Sequence, residues 1–118
     1  MSRLAELDVE DRDGVRVARI EGELDLSNVV DVGEALVSSV DADAIGLVID
    51  MTGLRHIDSA GVRMLFDLRR RLSQRRQTLA LAVPDDARIR DVIDLAAVGE
   101  TVPLFADVPA AVEAARSA

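Results

Sequence analysis

The sequence contains no cysteine, lysine, tryptophan or tyrosine, and only two phenylalanines and three prolines among its 118 residues. Without cysteine the chain can form neither a disulfide framework nor a thiolate metal or redox site. With so few aromatic rings, a site that stacks bases or sugars on aromatic side chains is not expected. The core must therefore be built from valine, leucine, isoleucine and alanine.

Length and composition predict a single globular domain over residues 1–118, since a chain of this size buries about two-thirds of its unfolded surface. Apolar residues make up 49% and charged residues 31% of the sequence, as in folded domains. The chain lacks a membrane-length apolar run and a signal-peptide pattern, so we expect a cytoplasmic protein. Its net charge of −8 argues against nucleic-acid binding and direct membrane contact.

The hydrophobic pattern predicts an α/β fold in the order ββαβαβαβα, with a mixed, mostly parallel sheet that begins with a hairpin. In the strand 15–24 the alternation slips after Val17, which either a bulge or burial of both faces would explain. Ser27, Ser59 and Asp107 are predicted helix N-caps, and Gly99 a helix end. The predicted strands cover 4–9, 15–24, 45–51, 78–83 and 101–105, the helices 27–40, 60–76, 85–99 and 107–118, and a loop 52–59.

The segment "HIDSAGVRML", residues 56–65, raises the question of what Ser59 does. His56, Asp58 and Ser59 are the residue types of a catalytic triad, but residues this close on one loop rarely reach the required geometry, and the G-x-S-x-G elbow is missing. A phosphate-binding loop of the Walker type requires a lysine, which the chain lacks. A third interpretation is structural: Ser59 caps the helix that follows, with its hydroxyl near the surface.

The segment "LVIDMTGLRHIDSAGVRML", residues 47–65, resembles the signature of STAS domains, and specifically of small anti-sigma factor antagonists. That signature is a strand ending in D-[LM]-[ST], a short loop, and D-S-[ST]-G-[LV] opening a helix. The upstream segment "EGELDLSN", residues 21–28, is similar to the family's G-x-L-D turn. Ala60 departs from the pattern, because many members have serine or threonine there. The matching positions are Gly22, Leu24, Asp25, Asp50, Met51, Thr52, Asp58, Ser59, Gly61 and Val62.

The resemblance implies that Ser59 is a substrate rather than a nucleophile. In this family an anti-sigma factor that is also a serine kinase phosphorylates the serine after the aspartate, and a phosphatase reverses the modification. The unphosphorylated antagonist captures the anti-sigma factor and frees the sigma factor. On this resemblance we expect no enzymatic activity, no cofactor, no metal, and a monomer or weak dimer. The expected partner-binding residues are Asp25, Ser27, Asn28, Asp58, Ser59, Ala60, Gly61 and Arg63.

Three alternatives stay open. A single STAS domain can also be a stand-alone subunit that regulates or assembles a membrane transporter complex. The intact D-S-x-G-V motif at residues 58–62 favours the phosphorylation switch over this alternative. Asp25 can equally be a turn residue beside Ser27. The arginine cluster, which is Arg69, Arg70, Arg71, Arg75 and Arg76, is typical of a solvated face near a helix C-terminus, and a patch for an acidic partner is the other interpretation.

Overall fold

One mixed sheet runs through the middle of the computed structural model, which describes residues 5–117. The strands lie in the order β1-β2-β3-β5-β6, and β4 pairs with β2. Only the β1–β2 hairpin is antiparallel. The predicted α/β class is therefore confirmed. The strands are β1 Ala5–Arg12, β2 Val15–Leu24, β3 Gly46–Asp50, β4 Leu54–Ile57, β5 Thr78–Ala82 and β6 Leu104–Phe105.

The helices cover the sheet unequally. A large apolar cluster joins the sheet to the first three helices, and a smaller one joins its other face to the last helix. No helix within residues 5–117 is long and apolar enough to cross a membrane. The helices are α1 Val29–Ser38, α2 Ser59–Gln74, α3 Arg90–Leu95 and α4 Val108–Ser117, with a 3-10 helix at Val98–Glu100.

Strand β2 resolves the slipped alternation in favour of burial on both faces. Val15 and Val17 pack in the cluster under α4, whereas Ala18 and Ile20 pack in the cluster under α1 and α2. A register irregularity occurs only further along, between Gly22 and Glu23. Because helices cover both faces of the central strands, β2 shows no single hydrophobic stripe.

Several predicted local features are wrong. Asn28, not Ser27, occupies the N-cap position of α1. Residues 54–57 form strand β4 rather than a loop. The predicted helix 85–99 is helical only at Arg90–Leu95, and it is Ala97, with φ of 57°, rather than Gly99 that adopts the left-handed conformation after it. The predicted positions 4 and 118 lie outside the described residues.

The C-terminal helix agrees with its predicted cap. The backbone N–H of Ala110 donates to the Asp107 carboxylate at 2.9 Å, as an N-cap aspartate should accept. In the predicted helix 85–99, Ile89, Ile93 and Val98 are buried, whereas Val92 is 37% exposed. Val98 lies in the 3-10 helix that follows the left-handed Ala97, so the α-helix itself ends at Leu95.

We predict opposite effects for alanine at two glycines. A Cβ at Gly46 would lie 2.5 Å from the backbone oxygen of Thr78 on the neighbouring strand β5, so Gly46→Ala forces the strands apart. A Cβ at Gly33 would meet only the Met64 side chain, at 3.4 Å. Gly46→Ala should lower the free energy of unfolding by about 1–3 kcal/mol. Gly33→Ala, inside a helix, should leave it unchanged or raise it by up to about 1 kcal/mol.

Urea denaturation monitored by circular dichroism measures both variants. Equal stability of the Gly46→Ala protein and the wild type would contradict the close approach of β3 and β5.

Candidate functional site

The two sequence motifs meet because β2 and β4 are parallel neighbours. Leu24 and Ile57 are register partners at the ends of these strands, and the next residues are Asp25 and Asp58. The backbone N–H of Asp58 donates to the Leu24 carbonyl at 3.2 Å, which continues the pairing by one residue. Segments more than thirty residues apart in the chain thus leave the sheet side by side.

The Asp58 carboxylate connects the two segments. Its Oδ1 accepts from the backbone N–H of Gly61 at 3.0 Å, and its Oδ2 accepts from the backbone N–H of Leu26 at 3.3 Å. Asp58 is therefore the N-cap of α2 and a tether for the loop after β2. The predicted N-cap role of Ser59 is wrong, because Ser59 is the first residue inside the helix.

Ser59 is exposed, and its hydroxyl takes part in none of the hydrogen bonds found within residues 5–117. The same hydrogen bonds do not connect the side chains of His56, Asp58 and Ser59, since the Asp58 carboxylate accepts from backbone N–H groups. His56 lies on β4 and is exposed. The arrangement lacks the base-to-hydroxyl contact that activates a serine nucleophile.

The Asp25 turn has its own hydrogen bonds. The Asp25 carboxylate accepts from both the backbone N–H, at 2.9 Å, and the hydroxyl of Ser27. The Asn28 side chain accepts from the Asp25 N–H at 3.0 Å and donates to the Glu23 carbonyl at 2.9 Å. Asp25 is therefore a turn residue in this fold, and the turn positions the exposed side chain of Leu26.

Helices α1 and α2 enclose a groove of about 490 Å³ beside this turn. Its walls combine apolar with charged side chains, and two of its apolar residues point outward: Leu26 is 78% and Val30 72% exposed. Near its far end the Arg71 guanidinium lies 3.4 Å from the Glu34 carboxylate, joining the two helices. The groove residues are Leu26, Val29, Val30, Gly33, Glu34, Val37, Asp58, Ser59, Ala60, Arg63, Met64, Asp67, Leu68 and Arg71.

The expected partner-binding residues differ in where they lie. Ser59, Ala60, Arg63 and Asp58 line the groove, and Ser27 is exposed on the adjoining turn. Gly61 is buried: a Cβ there would lie 2.6 Å from Ile57 and 3.1 Å from the Leu24 carbonyl oxygen, so Gly61 supports this surface from below. The apolar groove residues were not predicted, although Leu26 lies in the turn before α1 and Val30 is exposed on that helix.

The arginine cluster at the end of α2 is partly used by the fold. Arg70 pairs with Asp67 at 3.3 Å, and Arg75 donates to the Val40 carbonyl. Arg69 and Arg76 are exposed and form none of the ion pairs within the described residues. Residues 5–117 contain no group of three or more histidines and acids placed to hold a metal ion.

The STAS domain family model matches residues 6–111, which is most of the chain. The chain belongs to the STAS domain family. The two motifs of the sequence analysis thus lie in the predicted family fold. No curated protein sequence matches this chain.

Solved structures give the same architecture. An anti-sigma factor antagonist from Mycobacterium paratuberculosis is 27% identical, with 95% of this chain and 94% of that chain covered and a TM-score of 0.84. The anti-sigma factor antagonist SpoIIAA in its unphosphorylated form is 19% identical, with 96% and 100% covered and a TM-score of 0.69. The murine anion transporter Slc26a9 is 20% identical, with 92% and 19% covered and a TM-score of 0.76.

We predict that Asp58→Ala lowers the free energy of unfolding by about 0.5–2 kcal/mol, because it removes an N-cap acceptor. The matched control is Asp67→Ala on the same helix, which removes only an exposed pair with Arg70 and should cost well under 1 kcal/mol. In amide hydrogen exchange, the Leu26 N–H should exchange faster in Asp58→Ala alone. Equal stability and equal Leu26 exchange in both variants would exclude the tether.

Proposed function

We propose that this chain is an anti-sigma factor antagonist switched by phosphorylation of Ser59. The unphosphorylated form captures an anti-sigma factor that is also a serine kinase and so releases the sigma factor. The kinase phosphorylates Ser59 with ATP, and a phosphatase restores the unmodified serine. The chain is then a substrate and a binding protein in the cytoplasm rather than an enzyme, acts as a monomer or weak dimer, and contacts neither nucleic acid nor membrane.

One observation carries this proposal: the Ser59 hydroxyl is exposed, takes part in none of the hydrogen bonds within residues 5–117, and lies beside a groove with exposed apolar side chains. A kinase needs an accessible hydroxyl, and a protein partner needs apolar surface to bury. Leu26 and Val30 supply that surface on the same side of the domain as Ser59. The similarity to an anti-sigma factor antagonist, which is 27% identical over 95% of this chain, supports the same function.

The charge of a phosphate explains how this surface could be switched. A phosphoserine carries about −1.5 to −2 charges at neutral pH. The start of α2 favours an anion by about 0.3–1 kcal/mol, and Asp58 repels it by a similar amount in water. The fold therefore tolerates the phosphate. A buried partner interface does not, because an unpaired charge there costs several kcal/mol.

The transporter alternative has less support. Slc26a9 is 20% identical to this chain, and the match covers 19% of the Slc26a9 chain, so the similarity shows a shared fold only. That alternative does not require an accessible serine at position 59. A gene for a kinase-type anti-sigma factor beside this one would support the antagonist, whereas neighbouring transporter genes would support the alternative.

We predict that the cognate anti-sigma kinase adds one phosphate from ATP, mapped to Ser59 by mass spectrometry. Ser59→Ala should accept none, and Ser73→Ala, which changes an exposed serine later in α2, should be labelled like the wild type. In calorimetric titrations the phosphorylated protein should bind the anti-sigma factor about 30- to 1000-fold more weakly, equivalent to about 2–4 kcal/mol. Labelling of Ser59→Ala, or equal affinity of both forms, would refute the switch.

We also predict that Leu26→Ala weakens capture of the anti-sigma factor by about 5- to 30-fold, because a truncated interface leucine costs about 1–2 kcal/mol. The matched control is Leu95→Ala on α3, since Leu95 is 87% exposed but does not line the groove. Both variants should melt like the wild type. Equal binding by the two variants would place the partner elsewhere.

A further inference from the structure

Arg63 is a cation beside Ser59 that takes part in none of the ion pairs within the described residues. It is exposed on α2, one helical turn after Ser59, and both residues line the groove between α1 and α2. The fold therefore leaves this guanidinium available.

The other charged groups that line the groove are already engaged. Glu34 on α1 pairs with Arg71 at 3.4 Å, and Asp67 pairs with Arg70 at 3.3 Å. Both oxygens of Asp58 accept from backbone N–H groups. Within the described groove lining, Arg63 is thus the charged side chain that has no protein partner.

The spacing of the two residues suits an ion pair. Residues at i and i+4 of a helix are neighbours with Cβ atoms about 5–6 Å apart, and a pair with the anion first is the more favourable order. A phosphate on Ser59 stands four residues before Arg63 in that order. Asp67, four residues after Arg63, is the anion that competes with the phosphate for this arginine. An Arg63–Asp67 pair has the cation first, which is the less favourable order, and Asp67 pairs with Arg70 instead.

We infer that Arg63 is the intramolecular cation that pairs with the phosphate on Ser59. The guanidinium presents a planar set of N–H donors that matches two phosphate oxygens. This inference rests on the proposed function, and it adds what holds the phosphate once Ser59 is modified. The pair fixes the phosphate along the groove wall, and it removes the Arg63 charge from reach of a partner carboxylate.

The test uses full-length protein with phosphoserine installed at position 59 by genetic encoding, so that no kinase is needed. A ³¹P NMR titration from pH 4.5 to 8 reports the second ionisation of the phosphate. Arg63 favours the doubly charged form, so its loss should raise the pKa of the phosphoserine. The midpoint in Arg63→Gln should lie about 0.2–0.4 pH unit above that of the unsubstituted chain.

Three controls make the result specific. Arg69→Gln removes the same charge from another exposed arginine of α2 without an ion pair, and should leave the midpoint unchanged within about 0.1 pH unit. Arg63→Lys keeps the charge and should retain most of the shift. In 8 M urea the difference between Arg63→Gln and the unsubstituted chain should disappear, because only the helix holds the two groups together.

Equal midpoints in Arg63→Gln and the unsubstituted chain, equal shifts in Arg63→Gln and Arg69→Gln, or a difference that persists in urea would overturn the inference. These outcomes do not depend on any partner or kinase. Failure of the pair is therefore distinguishable from failure of the proposed function, which would appear as an unlabelled Ser59 or an unchanged affinity for the anti-sigma factor.

Discussion

The carboxylate of Asp58 holds together two stretches of chain that are far apart in the sequence. One oxygen caps α2 through the Gly61 N–H, and the other accepts from the Leu26 N–H on the loop after β2. A serine at the cap has a single side-chain oxygen and could not easily do both. Because the aspartate supplies both acceptors, the following serine does not cap the helix and is exposed at the surface.

Close packing beneath this surface fixes its shape. Gly61 lets α2 start directly on Ile57 and the Leu24 backbone, where a Cβ would clash. Gly33 lets α1 approach the Met64 side chain of α2 closely, and the groove lies between the two helices beside this contact. Leu26 and Val30 stay exposed at this groove instead of joining the core. A domain that exposes apolar side chains around a groove keeps apolar surface available for association.

The fold tolerates negative charge at the start of α2. Asp58 is a natural anion at a helix start, and its oxygens are satisfied by backbone donors, so a second anion on the next residue meets modest repulsion in water. One turn later Arg63 offers a compensating charge. At a dry protein interface even a phosphate paired with Arg63 would lose its water, and this desolvation cost is how we propose that modification weakens association while the fold persists.

The sequence by itself determined the α/β class, the main strands and helices, and the Asp107 cap, because these follow from local hydrophobic periodicity and capping chemistry. It also identified Asp58 and Ser59 as candidate functional residues. Strand β4 escaped prediction because only Leu54 and Ile57 of its four residues are buried, and its partner β2 lies some thirty residues earlier. The predicted helix 85–99 is too long because the apolar pattern continues past Leu95, whereas the backbone adopts the left-handed conformation at Ala97.

Only the tertiary structure decided how the caps are assigned and where the motifs meet. Local pattern permitted Ser27 and Ser59 as caps, but Asp58 caps α2 through the Gly61 N–H. The parallel pairing of β2 with β4 brings its other carboxylate oxygen within reach of the Leu26 N–H. The groove likewise depends on the spacing of α1 and α2 over the sheet. Hydrogen-bond partners and helix contacts between distant segments depend on three-dimensional proximity, which hydrophobic periodicity along the chain does not encode.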